Sequence, residues 1–203
     1  MSLYLFRFFA VLLSTCFFLG LTGCNLPEPV TLSGVNIICF GDSLTFGTGA
    51  PPGQSYPACL SEVIGQPVIN AGIPGDTTAR ALLRLERDVL SRSPRLVLIT
   101  LGGNDLKNGV DKKIAFKNLR EIVAAIQGEG ALVVIGGIKL LFWDRGYDEE
   151  YEQLADDTGA LLVPDILGGI MGNQKLMHDT IHPNAAGYKI MADKFYQAIK
   201  TYL

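Results

Sequence analysis

The chain has 203 residues, a formal net charge of −3 and 48% hydrophobic residues, enough for one domain with a full core and too little for a second of ordinary size. Its 17 lysines and arginines form no basic cluster that would neutralise a row of phosphates, so nucleic acid is excluded as a partner. The cysteines and the two histidines show no metal-ligand spacing, and nothing in the composition asks for a metal or another cofactor.

The first residues differ from the rest. A single charge, Arg7, precedes an almost wholly apolar run from Phe8 to Leu19, and Leu21-Thr22-Gly23-Cys24 follows. A positive start, an apolar stretch and small residues before a processing point describe an export signal rather than a folded helix. An uncleaved anchor is the weaker reading, because Leu3 to Leu21 only approaches the ~20 residues that span a bilayer. Leu21 to Cys24 resembles the lipobox of bacterial lipoproteins. That resemblance implies cleavage after residue 23, a diacylglyceryl thioether on Cys24, and a protein lipid-anchored in the bacterial cell envelope, facing the periplasm or the exterior. Two or more acyl chains suffice for stable attachment to a membrane. Residues 1–23 are thus read as signal, 24–34 as lipidated N-terminus and proline-bearing spacer, and 35–203 as the folded domain. Export would permit a bridge between the remaining Cys39 and Cys59; a strand position and a helical position favour two buried free thiols instead.

Beyond the spacer, apolar runs recur at Val35 to Phe40, Pro67 to Asn70, Leu96 to Leu101, Ala131 to Ile135 and Ala160 to Val163. Runs of this kind suit strands buried on both faces of a parallel sheet. Helical patterns alternate with them. Tyr56 to Ile64 is short; Thr77 to Ser91 puts Ala79, Leu82, Leu83, Val89 and Leu90 toward one face and Arg80, Arg84, Arg87 and Asp88 outside it. Asp111 to Gln127 carries Ala115, Leu119, Ile122 and Ile126 on one stripe; Asp148 to Asp157 and Asn184 to Tyr202 complete the set. Strand and helix alternating five times predicts a three-layer α/β/α sandwich with a five-stranded, mostly parallel, flavodoxin-like sheet. Such sheets bind ligands beyond the carboxyl ends of the strands.

Those ends carry polar residues in glycine turns. After the first strand Ser43 stands in Phe40-Gly41-Asp42-Ser43-Leu44-Thr45-Phe46-Gly47, free of the ladder and reachable. After the second comes Asn70-Ala71-Gly72-Ile73-Pro74-Gly75-Asp76-Thr77, whose Gly72 can approach a ligand closely while Asp76 caps the next helix. After the third, Gly102 and Gly103 bring the Asn104 amide to the sheet edge, where it can donate to a developing oxyanion. Past the fifth strand lies His178-Asp179-Thr180-Ile181-His182-Pro183. Asp179 can accept from one nitrogen of His182 while the other faces a hydroxyl. His178 is a bystander or a pocket-edge residue, and Asp42 and Asp105 belong to the structure of their turns. Leu140, Leu141, Phe142 and Trp143 follow the fourth strand and could line an acyl or aryl pocket or join the core.

Gly-Asp-Ser-Leu at 41–44, Gly72 in its Asn-Ala-Gly turn, Gly-Gly-Asn-Asp at 102–105 and Asp179-x-x-His182-Pro183 resemble, in order, the four blocks of the SGNH (GDSL) hydrolase family. The surrounding residues are most similar to its periplasmic acyl thioesterase, lysophospholipase and arylesterase branch. The resemblance implies a serine esterase or acyl hydrolase working through an acyl-enzyme on a small-molecule acyl ester or lipid-like substrate, without a cofactor. It makes Ser43 the nucleophile, His182 the base and then the acid, and Asp179 its orienter. The Ser43 and Gly72 N–H groups and the Asn104 amide would form the oxyanion hole. Two other readings compete. A flavodoxin-like phosphate or flavin binder would use the first glycine turn, but residues 41–50 lack a P-loop lysine and Asp179 and His182 would have no task. A catalytically silent lipoprotein could keep the fold, yet its blocks would not need to be complete.

Overall fold

The structure, a computed structural model, describes residues 32–139 and 146–203. The export segment, Cys24, most of the spacer, and Leu140 to Trp143 lie outside them.

In chain order the elements are β1 (Asn36–Gly41), α1 (Ser43–Phe46), α2 (Tyr56–Ile64), β2 (Val68–Gly72), α3 (Thr78–Asp88), β3 (Pro94–Thr100), α4 (Gly103–Lys107), α5 (Lys112–Gly128), β4 (Leu132–Gly136), α6 (Tyr147–Thr158), β5 (Leu161–Val163) and α7 (Ala185–Ile199). The five apolar runs form five parallel strands in the order β2-β1-β3-β4-β5. Helices α2 and α7 pack together, as do α3, α5 and α6, giving a layer on each side of the sheet. Residues of β1 and β3 such as Ile38, Cys39, Phe40, Val97 and Leu98 are fully buried, which is why their sequences show no alternation. Each large apolar side chain so buried contributes about 1.5–3 kcal/mol.

Strand order reverses at β1, which has β2 on one side and β3 on the other. Gly41 lies level with Gly72 of β2 and Thr100 of β3. The turns after these three strands therefore open at one edge, at the switch point where open α/β sheets bind ligands.

Helix α3 departs from expectation. Its inward residues are Ala81, Arg84, Leu85 and Asp88, while Leu83 is 88% exposed. Arg84 is pulled inward by acceptors: Nε donates to Asp76 Oδ2 at 2.7 Å, and the two terminal nitrogens reach Ala71 O and Gly41 O, both at 2.9 Å. Asp88 Oδ2 also accepts from it at 3.0 Å, and the guanidinium lies 4.3 Å from the centre of the Phe40 ring. Asp76 is thus an ion-pair partner and not the cap; Thr77 takes that position, accepting from Arg80 N. Cys39 is buried and Cys59 half-buried, and both are free thiols.

Candidate active site

Ser43 owes its position to the way β1 ends. Asp42 caps α1, its Oδ1 accepting from Leu44 N at 2.9 Å, so Ser43 becomes the first residue of a helix only four residues long. A first-turn N–H has no acceptor within its helix, and the Ser43 N–H donates to no group among the described residues. Beneath it, Thr45 Oγ1 bonds to Tyr56 Oη at 2.9 Å and to Thr100 Oγ1, fixing α1 to the buried side.

His182 and Asp179 come from the loop before α7. His178 N donates to His182 O at 2.8 Å, and Met177 pairs with Pro183, so the loop folds back on itself. Asp179 Oδ1 gathers the N–H groups of Ile181 and His182, each at 2.7 Å, and Oδ2 accepts from His182 Nδ1 at 2.8 Å. Burial pushes the Asp179 carboxyl up, but the bonds from the His182 ring and from these two N–H groups outweigh it and bring it down to about 2. A carboxylate at Nδ1 fixes that nitrogen as donor and leaves Nε2 as acceptor. Ser43 Oγ lies 3.0 Å from Nε2, so the hydroxyl can donate there. Residues 139 positions apart in sequence thus form one continuous hydrogen-bonded chain. His178 lines the edge of the same cavity.

Asn104 stands on α4, which begins after Gly102. The φ of Gly102 is 114°, and a Cβ there would press on Tyr151 Oη, so any other residue is strained at this position. Tyr151 Oη donates to Leu101 O at 2.6 Å and pins the end of the strand. The Asn104 amide donates to Asp42 Oδ2 at 3.1 Å and to Asp76 O at 2.9 Å. Asp105 turns the other way: it accepts from Thr78 N at 2.9 Å and Thr78 Oγ1 at 2.7 Å, joining α4 to the start of α3.

Gly72 does not take the place expected of it. Its N–H donates to Asn70 Oδ1 at 3.0 Å, and a Cβ would strike Phe46 N at 2.2 Å, so this glycine is needed for the close approach of β2 to α1. Three residues on, Asp76 N donates to Ile73 O in a turn with Gly75 at φ 76°. The Gly75 N–H donates to no group among the described residues, and this turn also carries the Asp76 carbonyl that Asn104 holds. Gly72, two residues before Pro74, and Gly75, directly after it, look alike in sequence; the Pro-Gly pair marking a turn was the signal for Gly75.

Ser43, Asn104, His182 and Asp179 line a cavity of about 920 Å³ whose other walls are mostly apolar, among them Leu44, Ile138, Leu167, Met171 and Met177, with Lys107 at its margin. A polar reaction centre beside an apolar hollow suits a substrate with one reactive polar bond and an apolar arm.

Known proteins resemble this chain in sequence and in fold. Residues 39–190 match the GDSL-like Lipase/Acylhydrolase family. An arylesterase of Vibrio mimicus is 32% identical over 179 residues, covering 82% of this chain and 89% of the relative. The thioesterase 1/protease 1/lysophospholipase L1 of Escherichia coli is 30% identical over 165 residues, covering 77% and 79%. The crystal structure of TesA superposes with a TM-score of 0.79 at 30% identity, covering 83% of this chain and all of that one. With a five-stranded parallel sheet of the same kind and a serine at its switch point, the chain belongs to the GDSL-like lipase/acylhydrolase family and is an ester-hydrolysing serine hydrolase.

Proposed function

We propose that Ser43 is the nucleophile of this enzyme, His182 its general base and then acid, and Asp179 the group that holds the imidazole in the required tautomer. The observation that carries the reading is the chain of bonds from Ser43 Oγ to His182 Nε2 at 3.0 Å and from Nδ1 to Asp179 Oδ2 at 2.8 Å. As Oγ attacks the ester carbonyl, its proton passes to Nε2, and the imidazolium that forms is stabilised by the ionised Asp179. The tetrahedral oxyanion is met by the Ser43 N–H and by the Asn104 amide hydrogen that rests on Asp42 Oδ2 in the free enzyme. Because the Gly72 N–H is committed to Asn70, we assign the third donor to Gly75, whose N–H has no acceptor among the described residues. The proton on Nε2 then goes to the leaving alcohol or thiol, and water deacylates Ser43 by the same steps in reverse.

The apolar walls favour an aryl or alkyl acyl ester, a thioester or a lysophospholipid. Hydrolysis of a short-chain p-nitrophenyl ester tests the assignment: Ser43→Ala should abolish turnover with folding intact, and a mutant as active as the parent would remove Ser43 from the chemistry. We further propose that Cys24 carries lipid and tethers the enzyme to the bacterial cell envelope, a reading supported by Leu21-Thr22-Gly23-Cys24 behind an apolar leader. Cys24→Ser should leave an unprocessed precursor on a gel; normal maturation of that variant would overturn the assignment.

A further inference from the structure

One hydrogen of the Asn104 amide goes to Asp76 O at 2.9 Å, and the other rests against Asp42 Oδ2 at the longer distance of 3.1 Å, from which an oxyanion in the cavity can draw it. The terminal torsion of an asparagine is broad and nearly two-fold, because the oxygen and the NH2 group have almost the same shape. Which end faces a given direction is therefore decided by what each end meets. Here the nitrogen meets two acceptors of different standing. The Asp76 carbonyl belongs to the turn between β2 and α3, whose side chain Arg84 ties to the ends of β1 and β2. The Asp42 carboxyl, 3% exposed, belongs to the residue directly before Ser43, and its other oxygen caps the helix that Ser43 begins. The first bond anchors the amide and the second sets its rotation.

We infer that Asp42 is a positioning residue that, through Oδ2, keeps the nitrogen of Asn104 turned toward the Ser43 side of the cavity and so maintains the oxyanion donor from one turnover to the next. The inference rests on the reading of Asn104 as an oxyanion donor. It assigns a task to a buried carboxyl that the triad does not use. One residue then carries two linked duties: Oδ1 starts the helix that aims the nucleophile, and Oδ2 aims the amide that receives the oxyanion.

If Asp42 acts through Asn104, its loss costs what a misdirected Asn104 costs, and costs nothing more once Asn104 is gone. Two variants separate this from the capping duty. In Asp42→Ser the hydroxyl can still cap Leu44 N but is too short to reach Asn104. In Asp42→Asn the carbonyl can cap, and the new NH2 faces the NH2 of Asn104, donor against donor. The kcat and KM for a p-nitrophenyl ester are to be measured at a pH above 8 on the full chain and on D42S, D42N, N104A and D42S/N104A. N104A should lower kcat by ~100-fold. D42S and D42N should each lower kcat by about tenfold or more with KM little changed, and the double variant should lie within about threefold of N104A alone. Multiplying losses in the double variant, or a D42S enzyme with the parent's kcat, would overturn the inference while leaving Asn104 in place. A fully active N104A would remove the reading beneath it, and this outcome is recognisable without any change at residue 42. Failure of both D42S and D42N to fold would assign Asp42 to the start of α1 alone and would equally overturn it.

Discussion

At the scale of single residues, a carboxyl pressed into the core and a carboxyl gathered up by donors respond to pH with opposite signs, and Asp42 and Asp179 form such a pair. Burial raises Asp42 to about 7, with repulsion from Asp76 and Asp105 adding to it and the Leu44 N–H working against it. Its value in an unfolded chain is ~3.9, so the native state holds this proton more tightly, and the stability it contributes at low pH is lost as pH rises through about 7. Asp179, held down to about 2, contributes stability above the unfolded value that is lost only as pH falls through about 2. Asp42→Ser removes the first effect and keeps the second. Urea unfolding should therefore show the variant gaining on the parent by a few kcal/mol between about pH 4 and pH 8. A gap that stays constant across that window would show that Asp42 ionises as readily in the folded protein as in the unfolded one. Ser43, His182 and Asp179 could be singled out in the sequence as a candidate triad because Asp179 and His182 are three positions apart and Ser43 stands in its own turn. Gly72 misled because its close approach is to Phe46 of α1 rather than to a ligand, a tertiary fact that no local pattern contains.

At the scale of elements, α3 shows how a helical face can be read a quarter-turn out. Residues 81, 84, 85 and 88 have the i, i+3, i+4, i+7 spacing of an inward stripe. Arg84 and Asp88 interrupt it with charges that satisfy one another and the ends of β1 and β2, so the stripe is internal despite its polarity. Helices α5 and α7, whose inner faces are apolar, were legible throughout. The short α1 and α4 were not, since four and five residues are too few to show a period. They depend instead on fit, and α4 most of all. Gly102→Ala would force a side chain into a left-handed backbone and its Cβ against Tyr151 Oη at 2.4 Å, a change expected to cost about 1–3 kcal/mol. Tyr151→Phe removes the struck oxygen, so the same substitution should cost less in that background. Equal costs in the two backgrounds, by thermal or denaturant melting, would place the whole penalty in the backbone. Activity should fall with Gly102→Ala as well, because Asn104 is two residues away.

At the scale of the whole molecule, five apolar runs alternating with helices were enough to foretell the sheet, and the parallel ladder then brings the ends of β1, β2 and β3 to one edge without further instruction. The cavity is another matter. Leu44 follows β1, Ile138 follows β4, and Leu167, Met171 and Met177 come from the long connection between β5 and α7, so its walls are assembled from segments far apart in sequence with no shared motif. What these walls do is put apolar surface beside Ser43. Each methylene of an acyl chain that leaves water there is worth ~0.8 kcal/mol, or about fourfold in kcat/KM if the transition state keeps the contact. Across p-nitrophenyl esters from acetyl to octanoyl, kcat/KM should therefore climb steeply at first and level off once the hollow of about 920 Å³ no longer gains contact. Met171→Trp, which fills part of that hollow, should move the plateau to shorter chains and leave the acetyl ester almost unaffected. A series that is flat from the start, or an optimum that the tryptophan does not shift, would mean that the acyl chain lies elsewhere and that the apolar walls receive the leaving group.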